Sequence, residues 1–340
     1  MRYVMLAGLA LVGALTAGFL LRDSGPRLGA RIEIVQAAAP SPIAVDRRKA
    51  YIPALVRDGL SAQVSTSSGS AFQGGAVMVT VDHAQSGSVS ILGRGYVLSP
   101  NGTGGLVGLV GFGAEEPPGS AALTVSVIDE AGEAVTVQRS LVVKRTAWTV
   151  DAFDIPPDPP PDPNAPPPPP PPPNENPLLP GVYAGVSARR WQPRWILPIA
   201  EPNLKPCASA PAGWLSCVSG YFGEQRSING GPIQGHHSGT DLAAAAGTPI
   251  RTTNDGTVVM SGLYLIRGNL VVIDHGAGVF SLYGHMTSRA VSVGDVVHQG
   301  DVIGGVGTTG LSTGPHLHWE MSVGGILVDG LRWLDGTQGF

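Results

Sequence analysis

The proline run between residues 156 and 180 restricts this chain more than any other feature. Sixteen of those twenty-five residues are proline, eight of them consecutive. Proline has no backbone donor and holds φ near −65°, so the stretch can enter neither a helix interior nor a central strand. It reads as a polyproline II spacer, and residues 158–174 alone would reach roughly 50 Å at about 3.1 Å per residue. A part on each side is expected, with the C-terminal part held away from the N-terminal one.

Both parts read as β. The chain has 340 residues, 43% of them hydrophobic, which is enough to build cores, while 48 glycines and 31 prolines point away from helices. Within 59–150, the runs A-V-M-V-T-V, S-V-S-I-L, A-L-T-V-S-V-I and A-V-T-V-Q-R-S-L-V-V are β-branched and separated by Gly, Pro, Asn or Asp. That pattern predicts a β-sandwich-like domain without a catalytic constellation, in the role of spacer or shield. Within 181–340, runs such as N-L-V-V-I-D-H, V-F-S-L-Y-G-H and H-L-H-W-E-M alternate with Gly-rich turns, which predicts a twisted antiparallel sheet and no helix. The expected fold class is therefore mainly β: a sandwich, a proline-rich linker over 156–180, and an antiparallel sheet domain.

Residues 3–21 carry no charge and are bracketed by Arg2 and Arg22. As a helix they would span roughly 28 Å at 1.5 Å per residue, close to the bilayer core. Residues 1–22 are thus expected to be an uncleaved anchor in preference to a removed signal, and 23–58 a tether. Either reading sends the body out of the cytoplasm, to the cell envelope. Cys207 and Cys217 enclose nine residues, and in an oxidising compartment such a pair is expected to form a disulfide. A formal charge of −4 supplies no basic field, so nucleic acid is not an expected partner.

Seven of the eight histidines fall between His236 and His318. Two segments among them suit a catalytic zinc site: H-S-G-T-D, from His237 to Asp241, and G-P-H-L-H-W-E, with His316 and His318. Catalytic zinc takes three protein ligands from His nitrogen and carboxylate oxygen and leaves a position open. His237, Asp241 and His318 would supply them. In an extended strand His237 and Asp241 would stand roughly 13 Å apart, so the chain must bend, and Gly239 permits it. His316 and His318 leave one strand face, where one can bind metal while the other stands beside it as acid or base. Histidine titrates near neutrality and suits that work. The absence of H-E-x-x-H argues against a thermolysin-like site.

These residues carry a resemblance. From about residue 221 to 333 the chain resembles the lysostaphin-type zinc metallopeptidases, which cut peptide bonds in peptidoglycan. The matching stretches are F-G-E-Q-R-S-I-N-G, H-H-S-G-T-D-L-A-A-A-A-G-T-P-I, G-N-L-V-V-I-D-H-G, S-L-Y-G-H, V-S-V-G-D-V-V-H-Q-G-D-V-I-G and S-T-G-P-H-L-H-W-E. The resemblance implies one zinc ion on His237, Asp241 and His318, a non-ligand catalytic pair in His285 and His316, and a groove over the sheet for an extended peptide. It also puts Arg226 and Asn229 in a segment that lines the groove or forms a turn. His236 is expected beside the site or exposed, His275 in a structural hydrogen bond, His298 in solvent, and His83 in no functional role.

The expected function is that of a zinc endopeptidase acting on peptidoglycan stem peptides or cross-links outside the membrane. Its rival is a non-catalytic wall-binding or hydrolase-activator module on the same fold. Loss of a ligand would mark that rival, and none is lost. A secreted zinc protease for proteins would use the same chemistry with a differently shaped groove.

Overall fold

The computed structural model describes residues 62–154, 169–200, 203–204, 218–233 and 235–334. The expected anchor, tether and Cys207–Cys217 disulfide, and residues 156–168 of the expected linker, lie outside the described residues. Among the described residues no helix is long and apolar enough to cross a membrane.

The first β-unit is a sandwich. One sheet runs in the order Gln63–Thr66, Ala76–Asp82, Gly105–Gly111, Ser99–Pro100; the other in the order Ser70–Phe72, Ala134–Lys144, Gly119–Asp129, Ala84–Ile91, Arg94–Val97. Strand Gly119–Asp129 shows the cause. Ala121, Leu123, Val125 and Val127 are buried while residues between them face outward, the period of two that lets one face of a strand join a core. The G-L-V-G-L-V-G run of Gly105–Gly111 is buried throughout.

The second unit is built on a long antiparallel sheet. Its order is Val218–Gly220, Thr240–Ala243, His316–Val323, Val279–Met286, Gly268–Gly276, Gly256–Tyr264, Val296–Val297. Central strand Val279–Met286 is buried at every position, because both faces are covered. On one face its side chains join the main core, which includes Ile250, Tyr283, Ile303 and Trp319. On the other, Leu179 and Tyr183 pack with Leu270, Val272, Phe280 and Leu282.

A short helix, Leu179–Tyr183, departs from the helix-free expectation. Pro180 sits in its first turn, where a missing N–H breaks no internal bond, and burial of Leu179 and Tyr183 fixes it. The expected separation of the two units is also overturned. Strand Val150–Phe153 pairs in parallel with Gln225–Ile228, and buried side chains of both units form one core cluster. Gly111 lies so close to Val323 that a Cβ there would stand 3.1 Å from the valine Cβ. A proline run separates its own ends locally, but here both ends are fixed to one body. Val150–Phe153 precedes it, and Pro173 closes it with a carbonyl that accepts the Leu265 N–H at 3.0 Å.

Candidate metal and catalytic site

Register builds the site. Strands Thr240–Ala243 and His316–Val323 pair so that Asp241 stands opposite His318 and Ala243 opposite His316. Opposed residues share a face, as do residues two apart, so Asp241, His316, His318 and Glu320 leave the sheet together. His237 arrives from the turn before Thr240. Gly239 serves that turn by close approach: a Cβ there would stand 2.9 Å from Glu320 Cγ and 3.0 Å from His318 Cε1.

Three donor atoms converge. His318 Nδ1 lies 2.8 Å from Asp241 Oδ1, and His237 Nε2 lies 3.2 Å from each of them. A tetrahedral zinc with bonds of about 2.0–2.1 Å separates its ligands by roughly 3.3 Å, so the set fits such an ion after a small adjustment. The outward nitrogens are occupied. His237 Nδ1 donates to the Tyr221 carbonyl at 2.9 Å, and His318 Nε2 lies 2.9 Å from Glu320 Oε1. A carbonyl only accepts, so the His237 proton sits on Nδ1 and Nε2 keeps its lone pair. Burial opposes ionisation of Asp241, yet the imidazoles of His237 and His318 beside it hold its carboxyl well below the usual range. For His318, burial is outweighed by Asp241 and Glu320, which raise its pKa.

His285 and His316 stand beside this set, with ring centroids 4.7 Å apart. His285 Nδ1 donates to the Thr309 carbonyl at 2.8 Å and His316 Nδ1 to the Gly314 carbonyl at 2.7 Å, so in the neutral ring each Nε2 carries the lone pair. Strict alternation would turn His285 away from the site. Gly284 is the residue opposite His318, which places position 285 on the far face. A register shift between Asn269 and Val271 and a left-handed backbone at His285, φ 58°, turn the side chain back. Such a conformation is uncommon outside glycine and marks functional sites when the surroundings hold it. Burial, then the nearby His318, push the His285 pKa down to about 3.

The remaining residues fall as follows. Arg226 donates to Asp241 Oδ2 at 3.0 Å. Asn229 is exposed and left-handed, φ 52°, in the turn after Gln225–Ile228. His236 is half-buried, its Nδ1 donating to the Gly223 carbonyl at 2.6 Å. His275 is fully buried, with Nδ1 donating to the Asp255 carbonyl and Nε2 2.7 Å from Ser281 Oγ, and burial lowers its pKa to about 4. His298 is exposed. Sequence reasoning misses Glu320, Arg267, Ser238 and Glu175, which gather behind His318. Glu320 has a usable signal, because in H-L-H-W-E it follows His318 by two and must share its face.

Residues 235–330 match the family model described as peptidase family M23. The chain carries a peptidase family M23 domain. Relatives of that domain include the DD-carboxypeptidase/endopeptidase Mpg of Neisseria meningitidis, 46% identical over 89 residues, which are 26% of this chain and 20% of the relative. The peptidoglycan DD-endopeptidase ShyA of Vibrio cholerae is 44% identical over 96 residues, 28% of this chain and 22% of the relative. The chain thus spans about a fifth of the length of the curated relatives it matches. A crystal structure from Pseudomonas aeruginosa assigned to peptidase M23 superposes with a TM-score of 0.50 at 22% identity, covering 77% of this chain and 94% of that one. That likeness shows a shared fold over 77% of this chain.

Proposed function

We propose that this protein is a zinc-dependent endopeptidase that hydrolyses peptide bonds in peptidoglycan stem peptides or cross-links, in the cell envelope outside the cytoplasm. The observation that carries this reading is the convergence of His237 Nε2, Asp241 Oδ1 and His318 Nδ1 beside two further histidines that keep a lone pair on Nε2. The relatives named as DD-endopeptidases support the substrate class. Zinc, when bound, supplies Lewis-acid polarisation of the scissile carbonyl and lowers the pKa of a water.

The protein's own residues do the rest. His237, Asp241 and His318 hold the ion, and Arg226 steadies the second oxygen of Asp241. His285 and His316 each keep a lone pair on Nε2, where a proton can be taken from the attacking water and returned to the leaving amine. Once protonated, those rings can also stabilise charge on the carbonyl oxygen. Arg226 and Asn229 are read as groove residues, residues 1–22 as the membrane anchor or signal, and 59–150 as a shield beside the catalytic unit.

The test is digestion of purified walls of defined cross-link type by the full chain, with products identified by mass spectrometry. New amino termini at stem-peptide or cross-link bonds, lost on metal chelation and restored by zinc, are expected. Intact walls with zinc bound would overturn the substrate assignment.

A further inference from the structure

Behind His318 lies a buried set of charges that the proposed chemistry does not use. Glu320 Oε1, 2.9 Å from His318 Nε2, also accepts from Ser238 Oγ at 2.7 Å and from Arg267 Nε and Nη2 at 2.8 and 2.6 Å. The Tyr183 hydroxyl donates to Glu320 Oε2 at 3.2 Å. Arg267 is held in turn by Glu175, which is fully buried. Glu175 Oε1 accepts the Arg267 backbone N–H at 2.6 Å and faces Nη1 at 3.4 Å, while Oε2 accepts the Ile266 N–H at 3.2 Å. The Arg267 carbonyl accepts the N–H of His285 at 2.6 Å. One arginine is therefore fixed both to the carboxylate behind His318 and to the left-handed residue His285.

Burying a carboxylate is costly unless it is well paired. Fastening the returning chain to the sheet does not require one, because Leu179 and Tyr183 already do that with apolar surface. We propose that Glu175, delivered by the segment leaving the proline run, is a positioning residue for the metal site, acting through Arg267 and Glu320 on His318. The proposal rests on the reading above that His318 binds metal. Carboxylates that orient a ligating histidine tune its affinity for the ion, and here the orienting carboxylate is itself oriented by a residue outside the matched 235–330 stretch.

The test uses full-length Glu320→Gln, Glu175→Gln, Glu175→Ala and the double variant Glu175→Gln/Glu320→Gln. Two quantities are read: the zinc dissociation constant by chelator competition, and the visible spectrum of the cobalt-substituted protein. Glu320→Gln should weaken zinc by roughly 10- to 100-fold. Glu175→Gln should weaken it roughly 2- to 30-fold and alter the cobalt bands, yet add little in the Glu320→Gln background, because a relay is cut only once. If Glu175→Ala fails to fold, Glu175→Gln still decides, since it keeps shape and one acceptor. Unchanged zinc affinity and cobalt bands in Glu175→Gln, or full additivity in the double variant, would overturn the proposal. A wild-type protein that binds no metal would instead overturn the functional reading beneath it.

Discussion

The two β-units solve the same packing problem in opposite ways. In the sandwich, strand Ala134–Lys144 keeps one face in water, with Leu141 and Val143 buried and Val142 exposed. In the M23 domain, strand Val279–Met286 is covered on both faces. An open face tolerates polar side chains because water satisfies them. A doubly covered sheet forces each polar group to find a protein partner or a ligand, and the buried His275, His285, His318 and Glu320 all sit on its strands. Chemistry has collected where solvent cannot dilute it.

Substitutions can break that contrast, and the largest effects should fall on the covered sheet. His237→Ala, Asp241→Ala or His318→Ala removes a donor and should abolish both tight zinc binding and wall hydrolysis; stoichiometric zinc in His318→Ala at wild-type affinity would show the donor set to be wrong. Next come His285→Ala and His316→Ala, expected to keep zinc content near wild type while lowering turnover by roughly 100-fold or more. Metal analysis beside activity separates the two classes, and loss of zinc from His316→Ala would make it a ligand.

A smaller effect is expected from pH. His275 stays neutral in the fold, with its pKa lowered by burial to about 4, against about 6.5 unfolded. The unfolded chain then binds more protons between those values, so the contribution is complete above about pH 6.5 and is lost as pH falls toward about 4. It is on the order of 3 kcal/mol. His275→Gln should flatten the dependence of unfolding free energy on pH in that window by up to about one proton; an unaltered slope would refute the assignment. Smallest of all, Val142→Ala on the open face of the sandwich should change stability by less than about 0.5 kcal/mol in denaturant melts.

Much of this is legible in the sequence for physical reasons. Period-two runs and Gly-rich punctuation announce strands, and the spacing of H-S-G-T-D and H-L-H announces donors on one face. Other features are hidden. The register that sets Asp241 opposite His318 depends on pairing between segments far apart in the chain, which local pattern does not encode. His285 needs a bulge that contradicts alternation. Glu175 lies in a segment whose composition suggests only stiffness, and its burial depends on Arg267, which carries no motif.

The pairing of Val150–Phe153 with Gln225–Ile228 has a practical consequence for anyone who cuts this chain. A fragment starting at residue 181 would lose Glu175 and would also bare an unpaired edge on the strand that carries Arg226. Free edges recruit strands from other molecules. Such a fragment should be sticky, and its self-association could be mistaken for a property of the intact protein.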